Sequence, residues 1–222
     1  NGLMAAQLAR HNITANDRVL EARFGFNEVM GTRALDEVLC AGLGQNWIAS
    51  QNTFKPYPCG FLLHPTLEAC LTKSDAQIFT LDEIERITVT VHPLSQLRAD
   101  RIHPVDGLEA KLSLQHAVAI ALLRGEAGVR YFTDSAANDP VIHACREKMI
   151  VIADEHLNTD EAKVVIYLQS GDVITRASSG AQPPMSPQAL EYKFRELVAF
   201  GAPHCNADEL LETLATFSQM AN

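Results

Sequence analysis

The two ends of the chain carry apolar residues at helical spacing. Small and apolar residues fill the opening, and a cap at Thr14 or Asn16 precedes a second periodic run that Gly31 would end. Near the other end, Ser186 and Pro187 form a typical helix start, with proline at the first helical position. This pattern predicts helices over residues 3–10, 16–30, 33–42, 187–199 and 207–219.

The middle of the chain has a different pattern. In residues 87–93, β-branched residues alternate with threonines, which is typical of a strand. Residues 149–155 predict another strand, and residues 163–178 predict a hairpin that turns at Ser170-Gly171-Asp172. The run after Trp47 contains two prolines in three residues, so we interpret it as a strand followed by an extended loop. Helices are predicted from His64 to about Thr72, over 107–124 and from Pro140 to about Lys148.

The distribution of these elements predicts an α+β fold. Strands are confined to the central part, while helices occupy both ends. We therefore expect three segments: residues 1–45 and 179–222 as parts of one helical body, and residues 46–178 as an α+β domain inserted between them. The chain opens in mid-helix at Asn1, which favours a portion of a longer protein.

Composition narrows the classes of partner. The formal charge is -9, from 18 Lys and Arg against 27 Asp and Glu, and no basic tract offers a footprint for nucleic acid. No apolar run is long enough to span a bilayer, and the sequence predicts no signal peptide. Five scattered cysteines without a CxxC pair are typical of reduced thiols in a cytoplasmic protein. We expect no nucleic-acid or membrane partner.

Two residues near the centre are candidates for chemistry. Lys55 precedes Pro56 and Pro58, which restrict the loop and would present its ammonium with little entropy left to lose. His64 begins the next predicted helix, where the helix N-terminus favours the neutral imidazole. Each has a plainer interpretation, because Lys55 can be a solvated lysine and His64 can merely cap the helix. We read Lys73 as a solvated helix residue.

The other polar residues are weaker candidates for chemistry than Lys55 and His64. Arg101 can clamp a carboxylate through its planar fork, although Asp100 beside it favours a local ion pair. Cys59 is interpreted as a small loop residue rather than a nucleophile. The remaining histidines show no ligand-like spacing with a carboxylate pair, so no metal site is expected; they include His92, His103, His143 and His156.

Four motifs in order give the chain a family resemblance. They are KPYPCG at 55–60 with His64-Pro65, DRIHPVDGLEAKLSLQHAVA at 100–119, the SGDV hairpin turn, and PPMSPQALEYKFRELV at 183–198. Together they resemble the C-terminal portion of the MmgE/PrpD family, which includes 2-methylcitrate dehydratase, iminodisuccinate epimerase and cis-aconitate decarboxylase. The wording of the first loop is similar to the MmgE-like and epimerase-like branches.

The resemblance implies a fold and a chemistry. Members have a large helical domain and a smaller α+β lid, are commonly dimers, and act without a cofactor or, in most branches, a metal. Their substrates are small di- or tricarboxylates, and the reactions are dehydration, epimerisation and decarboxylation. These share proton abstraction next to a carboxylate. The resemblance makes Lys55 a substrate-binding and catalytic candidate, His64 a catalytic one and Arg101 a substrate-binding one.

Two departures from the family pattern matter. Gly60 stands where the decarboxylase branch has a functional histidine, which disfavours decarboxylation of cis-aconitate. His116 stands where relatives often have a tyrosine, so it is a candidate for proton transfer, and its alternative is a ring that packs under the site. Tyrosine and histidine differ in ordinary pKa by about 3.5 units, so a catalytic His116 would change the pH optimum.

Two functions of different classes therefore remain open. The first is part of a lyase or isomerase acting on a small polycarboxylate, with the first helical region supplying further acid/base residues. The second is a catalytically silent relative that serves in binding or assembly. Either would expose apolar surface on the helical body, which predicts a homodimer.

Overall fold

The computed structural model describes residues 1–31, 41–71, 78–180 and 184–216. The chain divides into two compact units, Asn1–Asn52 and Thr53–Asn222. In the described residues no helix has the length and apolar character needed to cross a membrane.

The first unit is less regular than its sequence pattern predicts. It contains helix α1 (Gly2–Arg10), helix α2 (Phe26–Met30) and a 3₁₀ turn (Ile48–Gln51). The predicted helix over 16–30 is wrong for its first part, because Asn16 Oδ1 accepts from the Arg18 backbone in a local turn that competes with helix formation. The part of the predicted 33–42 helix at 33–40 lies outside the described residues.

The predicted strand after Trp47 is also wrong. The Ser50 hydroxyl donates to the Trp47 carbonyl over 2.7 Å, and the backbone of Ser50 donates to the same carbonyl. These bonds close the 3₁₀ turn and remove the extended conformation that a strand requires. The extended loop that follows carries Pro56 and Pro58, as the sequence predicts.

The second unit is organised around a four-stranded mixed sheet. Its strands are β1 (Ile84–Val91), β2 (Met149–Ala153), β3 (Ala162–Leu168) and β4 (Val173–Ser178), in the order β2-β1-β3-β4. β1 pairs in parallel with β2 and antiparallel with β3, and β3 pairs antiparallel with β4. All described strands lie in residues 84–178, which confirms the strand predictions for this region.

The register places apolar residues on one buried face. Val89 lies opposite Val151 on one side and Val164 on the other, and Ile87, Val89 and Val91 are buried. The hairpin between β3 and β4 turns at Gly171, whose φ of +90° favours glycine. The alternation read in the sequence therefore corresponds to a core-facing side of β1.

Helices cover the buried face of the sheet. Helix α3 (His64–Leu71) packs against β3 and β4 and against the central helix that runs from Leu114 to Arg124. Five helices follow α3 and precede the last two helices of the described chain: α4 (Pro93–Ala99), α5 (Gly107–Ala110), α6 (Leu114–Arg124), α7 (Asp134–Ala137) and α8 (Pro140–Arg146). Residues 114–123 of α6 are all buried, so this helix forms the centre of the core.

The continuous helix predicted over 107–124 is interrupted. Asp106 caps α5, and Ser113 starts α6 by accepting from the His116 backbone over 3.0 Å. A serine in a helix can offer the backbone this alternative bond, which explains the break at 111–113. Gly125, with φ of +68°, ends α6.

Two further helices form the end of the described chain. They are α9 (Pro187–Gly201), capped by the Ser186 side chain, and α10 (Ala207–Thr216). Both predicted closing helices are confirmed within the described residues, and residues 217–219 lie outside them. The α+β class is likewise confirmed. The domain boundaries at 45/46 and 178/179 stay predictions.

Candidate functional site

A pocket of about 820 Å³ opens in the second unit. Its walls come from the proline-bearing loop before α3, the start of α3, the residue between β1 and α4, and the segment after β2. The lining residues are Thr53, Phe54, Lys55, Pro56, Phe61, His64, Pro65, His92, Glu155, Leu157, Asn158, Thr159, Asp160, Gly180 and Pro184. A volume of this size accommodates a small organic ligand.

Lys55 brings a positive charge to this pocket. Its ammonium makes one long hydrogen bond, Nζ to the Cys59 carbonyl over 3.4 Å, within the same loop. The Lys55 carbonyl accepts a hydrogen bond from Nζ of Lys193, which lies on α9. Desolvation and the charge of Lys55 both lower the pKa of Lys193. Lys193 therefore supports the loop and adds a second cation behind it.

His64 forms the floor of the same region. It is 3% exposed, and its ring lies against Tyr57 in an edge-on arrangement and against Phe61 in a tilted one. Burial, with smaller contributions from the charges of Lys55 and Lys193, lowers the pKa of His64 to about 4. A hydrogen bond to the Cys59 backbone opposes the shift. The imidazole is thus neutral near pH 7.

One nitrogen of His64 is notable. Nε2 is buried and has no hydrogen-bond partner among the residues that the structure describes. Leaving a buried polar atom without a partner costs about 1–3 kcal/mol, so such atoms mark places where a ligand or water fits. The ring is neutral, and its bond to Cys59 occupies the other nitrogen. Nε2 is therefore the nitrogen of His64 that has no partner among the described residues.

Cys59 and Tyr57 have environments that suppress ionisation. Burial raises the pKa of the Cys59 thiol to about 12, although Lys55 and Lys111 act in the opposite direction. Burial, together with Glu68, raises the pKa of Tyr57. Because the thiolate is the nucleophilic form of cysteine, Cys59 is a poor nucleophile here.

The wall formed by the segment after β2 carries acidic groups that the sequence analysis did not identify. Glu155 and Asp160 lie in the segment after β2, and His92 follows β1, where its Nδ1 accepts from the Leu94 backbone over 3.0 Å. β1 and β2 are parallel neighbours, so the residues that follow them meet at one edge of the sheet. Ligands commonly bind at the carboxyl ends of parallel strands, and this rule, with the correct strand pairing, would have found them.

The comparisons with known proteins address this second unit. A family model described as the MmgE/PrpD C-terminal domain matches residues 57–218. The chain belongs to the MmgE/PrpD family. No curated protein matches it with significant similarity. The match begins two residues after Lys55 and covers every strand of the described residues, the start of α3 and most of the pocket lining.

His116, the position at which MmgE/PrpD relatives often have a tyrosine, does not line this pocket. It is fully buried in α6, with Nε2 2.7 Å from the Tyr131 carbonyl and Nδ1 3.3 Å from Nη1 of Arg146. Burial lowers its pKa. A carbonyl can only accept and a guanidinium can only donate, so the ring donates from Nε2 and accepts at Nδ1. This geometry favours the alternative of a packing residue.

Arg101 also lies apart from the pocket-lining residues of this MmgE/PrpD chain. Its Nη1 is 3.6 Å from Oε1 of Glu109, and both side chains are partly exposed. The expected pair with Asp100 does not form, because Asp100 accepts from the Gln115 side chain. The structure thus brings Lys55 and His64 to one pocket and leaves Arg101 and His116 elsewhere.

Proposed function

We propose that the pocket binds a small di- or tricarboxylate and that the reaction begins with proton abstraction next to a carboxylate, as in a dehydratase or an epimerase. Lys55 is the proposed carboxylate ligand, and His64 the proposed proton acceptor or donor. The observation that carries the proposal is that Lys55 and His64 line one pocket, and that the buried Nε2 of His64 has no described partner.

The charge near Lys55 suits this chemistry. Proton abstraction next to a carboxylate builds negative charge, which a compact ammonium stabilises in a partly desolvated site. Among the described residues the Lys55 ammonium makes only a long bond to Cys59, so it retains donors for a substrate oxygen. Lys193 supports the loop through the Lys55 carbonyl and adds positive potential.

Substrate charge would also tune His64. The two lysines hold its pKa down, so a bound carboxylate that offsets their charge raises it. Binding then makes the imidazole a better proton acceptor at the moment it is needed. A histidine that only capped the helix would not need this coupling, so the coupling supports a catalytic role for His64.

The acidic wall restricts how a substrate lies. Carboxylates belong on the Lys55 side, because Glu155 and Asp160 would repel them. A hydroxyl or protonated imine of the substrate belongs beside Glu155 and Asp160, whose carboxylate oxygens accept hydrogen bonds. The proposed substrate class is therefore a polycarboxylate that also carries such a donor, in preference to one, such as cis-aconitate, without it.

The test uses the protein expressed from its complete reading frame. Citrate, 2-methylcitrate, cis-aconitate and iminodisuccinate are incubated with it in D₂O and followed by NMR. We expect deuterium incorporation at carbon, or loss of water, with at least one hydroxy- or imino-polycarboxylate. Absence of exchange, turnover and binding for all four contradicts the proposal and favours a silent relative serving in binding or assembly.

A further inference from the structure

Three metal-binding side chains meet on the surface of the second unit, away from the pocket. They are His103, in the loop between α4 and α5, His143, in α8, and Glu147, directly after α8. Their ligand atoms all lie within 4.8 Å of one another. None of the three lines the pocket, so this cluster is independent of the proposed function.

The fold explains how the cluster forms. His143 and Glu147 are four residues apart, which places them on the same side of a helical turn. The 101–106 loop brings His103 over them, and the His103 and His143 rings stack with centroids 5.7 Å apart and planes inclined by 24°. Sequence spacing could not reveal this, because the first ligand is remote from the other two.

One glutamate oxygen faces both imidazoles. Oε1 of Glu147 is 3.3 Å from Nδ1 of His103 and 4.0 Å from Nε2 of His143. In tetrahedral zinc sites, with metal–ligand bonds near 2.0–2.2 Å, neighbouring ligand atoms are about 3.3 Å apart. The His103–Glu147 pair already has this separation, and the stacked imidazole rings must rotate to direct their nitrogens at one ion.

The side chains have the freedom to make those rotations. Each is between 48% and 65% exposed. Closure therefore requires no repacking of the core. Exposure also leaves the fourth coordination position to water.

We propose that His103, His143 and Glu147 bind one divalent cation of the zinc, cobalt or nickel class. Two imidazoles and one carboxylate suit these ions, whereas magnesium and calcium prefer sites made wholly of oxygen. The ion would tie the 101–106 loop to the end of α8. Its role is to stabilise this loop, and it takes no part in the proposed reaction.

The test is calorimetric titration of the purified chain with Zn²⁺. Cys205 is an exposed thiol, and thiols are zinc ligands, so every protein in the titration carries Cys205→Ser. We expect one ion per chain and at least tenfold weaker binding in each of His103→Ala, His143→Ala and Glu147→Gln. Circular dichroism checks that these exposed substitutions leave the fold intact.

His156→Ala is the matched control. His156 is 96% exposed and has a carboxylate, Asp154, 3.0 Å away, but no second imidazole is grouped with it in the described residues. Its substitution should leave zinc affinity unchanged. Zn²⁺ should also raise the melting temperature of the parent protein and not that of His103→Ala. No binding at millimolar Zn²⁺, or equal affinity in all variants, overturns the proposal.

Discussion

Replacing Lys55 by methionine is the perturbation that most sharply separates a site lysine from a solvated one. Methionine keeps the length and apolar stem of the side chain and removes the charge. The fold should survive, because the ammonium makes one hydrogen bond of 3.4 Å and the Lys55 carbonyl keeps its bond from Lys193. We therefore expect less than about 1 kcal/mol of lost stability.

The expected loss of function is larger. A charge-assisted contact to a carboxylate contributes about 1.5–3 kcal/mol, and each 1.4 kcal/mol is a factor of ten. Because Lys55 is itself exposed, the lower part of that range applies. Lys55→Met should reduce kcat/KM by about ten- to thirtyfold for the substrate that the screen identifies.

The control must be a lysine outside the pocket. Lys73 lies outside the described residues, so Lys163→Met serves instead: this exposed side chain on β3 does not line the pocket. Steady-state kinetics on both variants, with urea unfolding to verify stability, measures the difference. If Lys55→Met and Lys163→Met stay within about twofold of the parent, Lys55 is a solvated lysine.

Three further predictions concern His64, His116 and association. The folded pKa of His64, about 4, lies below its ordinary 6.5, so the unfolded chain takes up the proton first as pH falls. The stability that this group contributes is complete above pH 6.5 and declines towards pH 4. In urea unfolding, the parent should lose about 2 kcal/mol more of its unfolding free energy between pH 7 and pH 5 than His64→Gln does. An unchanged pH dependence in the variant refutes this. His116→Leu should cost about 2–4 kcal/mol in thermal unfolding, because it leaves the Tyr131 carbonyl and buried Arg146 short of partners; a change below about 1 kcal/mol contradicts it. The chain should sediment as a homodimer burying well over about 1,000 Å², and a stable monomer at micromolar concentration counts against it.

The sequence predicted the second unit better than the first. In β1 the alternation of Ile87, Val89 and Val91 with threonines identified the strand, and the structure shows that these three residues are buried. Helical spacing was less decisive where polar residues compete for the backbone. Asn16 and Ser113 each make a local bond that replaces or interrupts a helix read as continuous.

Sequence reasoning likewise identified some residues of the candidate site and missed others. Lys55 and His64 are close in sequence, and local loop and helix-start patterns singled them out together with the family resemblance. Glu155 and Asp160 reach the pocket only because β2 pairs in parallel with β1, which is a long-range fact that no local pattern contains. The burial of His116 follows from packing on every side of α6. Its periodicity alone left a site-facing orientation open.

The central claim is that a carboxylate occupies the pocket between Lys55 and His64. A crystal structure of the protein with tricarballylate, an unreactive tricarboxylate, tests it most directly. The account predicts a carboxylate oxygen about 2.7–2.9 Å from Nζ of Lys55, with the ligand in contact with Nε2 of His64. A ligand bound elsewhere at full occupancy, with the Lys55 ammonium directed into bulk solvent, would contradict it.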